Sequence, residues 1–378
     1  MSTVFFLPWV RLKEPVTLGD VQLIPYQRNQ QPGSLGNVTQ LELDELLGNY
    51  GERSYNPGGP AWAPIQAAVL VHWRGTVFGA DVPDNEISGR MLTGEMLAVA
   101  ALAARQYGNF LAYVNRDQVR MIGQTFEPIR PRAVLAVSRR RDGGTNHMLH
   151  RTDGGPEFIR PLHVDRSSHL EVDEHLFVAL QGCIGDPQWA HVREAILVFN
   201  SANTDSDSVS DELELVLMRI AFEALLRADH TVSDLSQRLR SELSMTAPLR
   251  EWPVGEFDAA KWRSRWTADR PITAWVQDFC AARNRSAHAK TAGSEAPVWS
   301  DRNHLMFSSW LLPLVLKAVL AREGRYTLGP YEADCLQMCE LFLAADVSSY
   351  RKEEVRLRWS EVEEEISSKE LERYLSGI

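Results

Sequence analysis

Four polar side chains crowd one short stretch of the chain: Arg283, Asn284 and Arg285, with His288 three residues on. An imidazole titrates near neutral pH and moves protons, whereas a guanidinium stays charged and grips phosphate oxygens in a planar fork. These residue types fit acid–base work on a phosphate ester, with Arg283 holding developing negative charge and His288 transferring protons. Their spacing sets a condition. Five positions apart, Arg283 and His288 lie about 140° apart around a regular helix, so they converge only where the helix ends or distorts. Ser286 and the small Ala287 between them permit that. The same residues also have a plainer use, because cations in a last helical turn bond its unpaired carbonyls and meet the negative end of its dipole.

A basic island surrounds the cluster. Lys261, Arg263, Arg265, Arg270, Arg283, Arg285 and Lys290 face only Asp269 and Asp278 between residues 261 and 290, with Trp262 and Trp266 interleaved. Arg263, Arg265, Arg285 and Lys290 are therefore the candidate phosphate-binding groups, and a Trp beside an Arg can stack a base. Trp262 and Trp266, four apart on one helical face, read better as core anchors flanked by solvated arginines. Glu223, inside an otherwise apolar helical stripe, is read either as the partner that orients an active-site Arg or as an edge-of-face carboxylate reaching water.

Other chemistries find less support. His147, His150, His163, His169 and His175 have irregular spacings and no acidic partner at helical offset, so they are expected to be exposed loop histidines. Cys335 and Cys339 share a helical face but lack a second ligand pair, and no metal site, disulfide or cofactor is expected. Asp142-Gly143-Gly144 is followed by neither the Lys nor the helix of a phosphate loop, and no nucleophile-elbow pattern occurs.

The elements that must position these residues fall into two regions. In the first, Val4 to Leu12 and Val16 to Pro25 alternate around a Leu18-Gly19-Asp20 turn and predict a hairpin. Strands are expected at 65–73, 110–114, 118–122 and 133–138, with one long helix from Asp84 to Tyr107. After Pro187 strand signals cease. Helices are expected at 189–201, 210–228, 232–242, 273–286, 303–322 and 331–344, with Ser210 as an N-cap. The fold class is α+β: a β-rich mixed domain over 1–185, an all-α domain over 188–348, and a charged helical tail over 349–378 with Trp359, Val362 and Ile366 on a sparse stripe.

Composition bounds the partners. With 44% hydrophobic and 24% charged residues the chain reads as soluble and globular. Its uninterrupted apolar runs are far shorter than the ~20 residues of a membrane span, and no signal peptide is evident, so a cytoplasmic protein without membrane contact is expected. A formal net charge of −10 argues against non-specific nucleic-acid binding by the whole molecule and confines any RNA contact to a local patch.

Taken together, Arg283-Asn284 followed by His288, at the end of a helix in an all-helical region, resembles the active-site motif of HEPN-type ribonucleases. The helix pair Ala195–Ala202 and Leu213–Leu226, with its Ala221-Phe222-Glu223-Ala224-Leu225-Leu226 segment, is similar to the opening pair of the ApeA-like, defence-associated variants of that family. The resemblance covers about residues 188–348. It implies a HEPN-like bundle and metal-independent endoribonuclease activity, with Arg283, Asn284 and His288 catalytic and a 2′,3′-cyclic phosphate product. It also implies a homodimer through the helical domain and a regulated toxin or anti-phage effector, whose first domain answers an unidentified trigger. A non-catalytic module that binds a nucleotide, RNA or a protein partner, or a structural assembly subunit, remains the alternative.

Overall fold

The computed structural model describes residues 2–29, 35–53, 62–107, 113–130, 133–139, 145–151, 156–165, 169–183, 185–245, 249, 262–287, 297–345 and 358–376. The protein divides into two compact units, one of residues 1–105 and 111–181, the other of residues 106–110 and 182–378. The first holds the sheets and the second is helical. Mixed α and β architecture with this order is what the sequence patterns predict.

In the first unit a seven-stranded antiparallel sheet runs in the order β2-β3-β6-β1-β7-β8-β9. Its strands are β1 (Ser2–Leu7), β2 (Val16–Leu18), β3 (Val21–Gln27), β6 (Ala67–Trp73), β7 (Ile122–Arg130), β8 (Ala133–Arg139) and β9 (Thr145–Arg151). A smaller sheet has the order β10-β4-β5, from β4 (Tyr50–Arg53), β5 (Trp62–Pro64) and β10 (Phe158–Ile159). The turn at Gly19, with φ +59°, joins β2 to β3, so the expected hairpin forms only there. β1 lies instead between β6 and β7. Its residues Val4–Leu7 are buried on both faces, which suits a central strand.

On one face, Leu43, Leu46 and Leu47 of helix α1 (Gln40–Gly48) join Val4, Phe6 and Leu70 in a single core. On the other, Arg90 of helix α2 (Asp84–Ala104) covers the rings of Phe5 and Trp73, and Met91 approaches Gly123. Helix α3 (Glu174–Gln181) completes this unit. The strand expected at 118–122 begins only at Ile122, because residues 116–119 form a turn held by the Asn115 side chain accepting from the Gln118 amide. The strand expected at 110–114 lies largely outside the described residues. His163 is not a solvent-exposed histidine, since it is half-buried against Asp117 at 2.9 Å.

The helical unit contains α4 (Ala190–Ser201), α5 (Asp211–Leu226), α6 (Val232–Leu243), α7 (Pro271–Ala287), α8 (Asp301–Arg322), α9 (Pro330–Ala344) and α10 (Trp359–Ser376). Hydroxyl caps start three of them: Ser210 accepts from the Leu213 amide, Thr231 from Asp234 and Ser300 from Asn303. α8 is the central rod, buried from Leu311 to Leu320. By length and apolar content alone, Asn85–Ala104 and Asp301–Arg322 are each sufficient to cross a bilayer. The short apolar runs read from the sequence miss this because interspersed His, Ser and Gly residues join them within one helix. In the fold most of Asp301–Arg322 is buried within the helical unit, as befits a core helix.

Candidate active site

α7 carries the motif, and its position is set from both ends. Pro271 at its first position has the backbone angle a helix needs and no N–H to satisfy. Glu340 of α9 then accepts from the Ile272 amide at 3.2 Å and from Arg270 Nη2 at 2.7 Å, placing a carboxylate at the positive end of the helix. Trp275 and Phe279 stack at 5.0 Å on its buried face, and Trp275 meets Phe307 of α8 edge-on at 4.8 Å. The first and middle turns of α7 are thereby packed against α8 and α9.

Arg283 is half-buried there and Asn284 exposed. The Arg283 Nη1 donates to Asn284 Oδ1 at 3.1 Å, which orients the guanidinium, and its Nε is buried without a hydrogen-bond partner among the described residues. The helix runs unbroken through Arg285 and Ala287. His288 and Lys290 lie outside the described residues, as does the side chain of Arg285.

Glu223 does orient an arginine, although not Arg283. Its Oε1 accepts from Arg219 Nε at 2.7 Å, one turn earlier on α5, and its Oε2 lies 2.7 Å from His230 Nδ1. Arg219 Nη2 closes the loop by donating to the His230 carbonyl at 2.7 Å. Arg219 and Glu223 are buried, whereas the His230 side chain is 82% exposed. The chain reverses to bring this imidazole back over α5: Arg227 caps the helix with φ +52° and His230 itself has φ +69°, left-handed conformations that histidine tolerates better than most residues. An imidazole bound through Nδ1 to a fixed carboxylate, with its other nitrogen turned toward solvent, is the arrangement of a proton-transfer group. Sequence reasoning missed Arg219 and His230; the one available signal was an Arg four residues before Glu223 on the same helical stripe.

α5 and α7 face each other around Cys280. Burial pushes that thiol up to about 11, and the charges of Arg219, Glu223 and Arg283 all act on it. The Arg219–Glu223 pair on α5 and Arg283 on α7 thus lie on two helices that pack against each other.

The basic island divides. Trp262 is buried, with exposed Arg263 over its ring at 5.1 Å. Arg265 lies over Trp266 at 5.0 Å, and its Nε is 3.7 Å from Asp278 Oδ1. Asp278 is fully buried and collects donors: Trp266 Nε1 at 2.9 Å, the Trp299 amide at 3.0 Å, and His304 Nε2 at 3.3 Å without hydrogen-bond geometry. Burial alone would raise this carboxyl, but His304, the Trp299 amide and the indole together hold it below the ordinary carboxylate range. Arg265 and Trp266 thus belong to a buried ionic knot as much as to a surface. They also line an open cleft of about 690 Å³ with Arg240 and Gln277. Gln277 and Arg283 are six apart on α7, about 120° around the axis, so this cleft and the Arg283 site occupy different sides of the helix.

Among the described residues no group of three His, Cys, Asp or Glu side chains is placed to hold a metal ion. No family model matches the chain, and neither a curated protein nor a solved structure matches it.

Proposed function

We propose that the helical unit is a HEPN-like, metal-independent endoribonuclease acting as a regulated toxin or anti-phage effector, with RNA as substrate and a homodimer as the working form. The observation that carries this reading is the pair of hydrogen-bonded sets on two packed helices, Arg219–Glu223–His230 from α5 and Arg283–Asn284 on α7. RNA transesterification moves two protons: one leaves the 2′-hydroxyl as its oxygen bonds to phosphorus, and one reaches the 5′-oxygen as the P–O5′ bond breaks. Arg283, oriented by Asn284, stabilises the charge of the phosphorane between these steps. His288 supplies one proton transfer, in keeping with the motif, and His230, steered by Glu223, supplies the other. The partner reading, a module that grips phosphate without cleaving it, uses the same arginine and differs only in product.

The test is incubation of the full chain with RNA in EDTA and assay for 2′,3′-cyclic phosphate ends. Arg283→Ala and His288→Ala are each expected to lower the rate by about 10²-fold or more, and His230→Ala by about 10- to 10²-fold. Arg283→Lys should recover only part of the loss, since an ammonium keeps the charge without the planar fork. Full activity in folded Arg283→Ala and His288→Ala, or activity abolished by the chelator, would remove this assignment in favour of the binding module.

A further inference from the structure

A second cavity lies elsewhere in the helical unit, at the ends of four elements. The turn Pro187–Trp189 with the start of α4, the end of α5, the second half of α6 and the end of α8 enclose about 370 Å³, within the range of small-ligand pockets. Three arginines reach it: Arg227 from the α5 cap, Arg238 from α6 and Arg322 from α8. Each is anchored by some of its five N–H groups. Arg227 Nη2 bonds the Gln188 carbonyl at 3.0 Å and lies 3.0 Å from His191 Nδ1. Arg238 pairs with Asp234 at 2.7 Å and caps the Leu226 carbonyl at 3.2 Å, while Arg322 pairs with Glu242. The N–H groups left over are fixed in direction by those anchors, which is the arrangement that recognises an oxyanion.

Two buried atoms in the lining have no hydrogen-bond partner among the described residues. Glu242 is only 4% exposed, and while its Oε1 meets Arg322, its Oε2 is buried without a hydrogen bond. Trp189, also 4% exposed, has an unpartnered Nε1. A buried acceptor and a buried donor left unsatisfied are unfavourable in a folded chain, and a ligand that supplies the complementary groups removes the cost. Burial, followed by the neighbouring Arg227 cation, lowers the His191 pKa. Arg238 is paired with Asp234, and Arg322 with Glu242 and Glu323, while Arg227 bonds only a carbonyl and an imidazole, so Arg227 is the cation of the lining without a carboxylate partner among the described residues.

We propose that this cavity binds a small organic oxyanion, a phosphate ester or a carboxylate, that also carries a hydroxyl or amino donor. The oxyanion takes the spare N–H groups of Arg227, Arg238 and Arg322 together with Trp189 Nε1, and the donor satisfies Glu242 Oε2. The lining includes neither Arg283 nor Asn284.

The experiment is isothermal titration calorimetry of the full chain with ribose 5-phosphate, gluconate and inorganic phosphate. Ribose 5-phosphate or gluconate should bind, and whichever binds more tightly identifies the oxyanion class. Arg227→Gln and Arg238→Gln should each weaken binding at least about tenfold, a change read directly in Kd. Trp189→Phe, which removes the indole N–H and keeps an aromatic ring, should weaken it several-fold while preserving the helical circular dichroism. The proposal is overturned if no probe binds at millimolar concentration, or if the folded arginine variants bind as the native chain does. Equal affinity for inorganic phosphate and ribose 5-phosphate would overturn the donor requirement.

Discussion

At the scale of single residues, two buried carboxylates decide how the helical unit holds its polar groups. Glu223 neutralises Arg219 inside the packed α5–α7 interface, so Glu223→Ala leaves a guanidinium buried and unpaired. Breaking a buried pair from one side costs about 3–5 kcal/mol, and urea denaturation should show a loss of that order, with unchanged stability counting against the pair. Asp278 makes a prediction about pH. Its folded pKa lies below the ordinary 3.8, so in acid the folded chain binds fewer protons than the unfolded one. The stabilisation is complete above the ordinary value and fades as pH falls through the folded one. Thermal melts from neutral pH down into that range should fall more steeply for the native chain than for Asp278→Asn, and parallel curves would contradict the assignment. Of the candidate site, Arg283 and Asn284 were marked in the sequence by residue type at a helix end, and Glu223 by its place inside an apolar stripe. Their partners were not. Helical periodicity places Arg219 and Glu223 on one stripe, but only the left-handed turn at Arg227 and His230 brings an imidazole back to that stripe, and no local pattern encodes the return.

Elements were read more completely in the second half of the chain than in the first. A helix buries a face that repeats every 3.6 residues, so its bounds follow from local pattern, and α4 to α9 lie close to where that pattern puts them. A sheet is assembled from distant segments. Alternation marked β3 and a run of apolar residues marked β6 as strands, yet nothing local says that β1 separates β6 from β7. The last helix shows the same limit. Trp359, Val362 and Ile366 form the expected stripe, while its neighbours become evident only in the fold: Trp359 packs edge-on to Phe342 at 5.3 Å, lies 6.1 Å from Trp310, and donates to the Phe342 carbonyl at 3.0 Å. This helix is therefore a structural member of the bundle. Trp359→Ala should cost about 3–5 kcal/mol, as large-to-small changes in cores do. A loss below about 1 kcal/mol by urea denaturation would mean instead that the helix rests loosely on its neighbours.

For the whole molecule, charge sets how the proposed RNA substrate would be held. A chain with net charge −10 repels a polyanion at long range, so productive binding depends on a few cations acting within a Debye length of the strand. The basic island offers few of them. Arg265 and Arg270 are engaged by Asp278 and Glu340, which among the described residues of the island leaves exposed Arg263 and the Arg283 end of α7 to meet phosphates. Each phosphate neutralised on a single strand contributes about −0.7 to the slope of log K against log salt, so two to four contacts predict a slope of about −1.5 to −3. Arg263→Ala and Arg285→Ala should each reduce that slope by about 0.7 and weaken binding across RNA sequences alike, leaving the rate at saturating RNA nearly unchanged. Arg283→Ala should do the opposite, lowering the saturated rate far more than the affinity, because its interaction is strongest in the transition state. A slope steeper than about −5 in fluorescence-anisotropy titrations would require more cations than this patch supplies, and would place part of the RNA on a different surface of the protein.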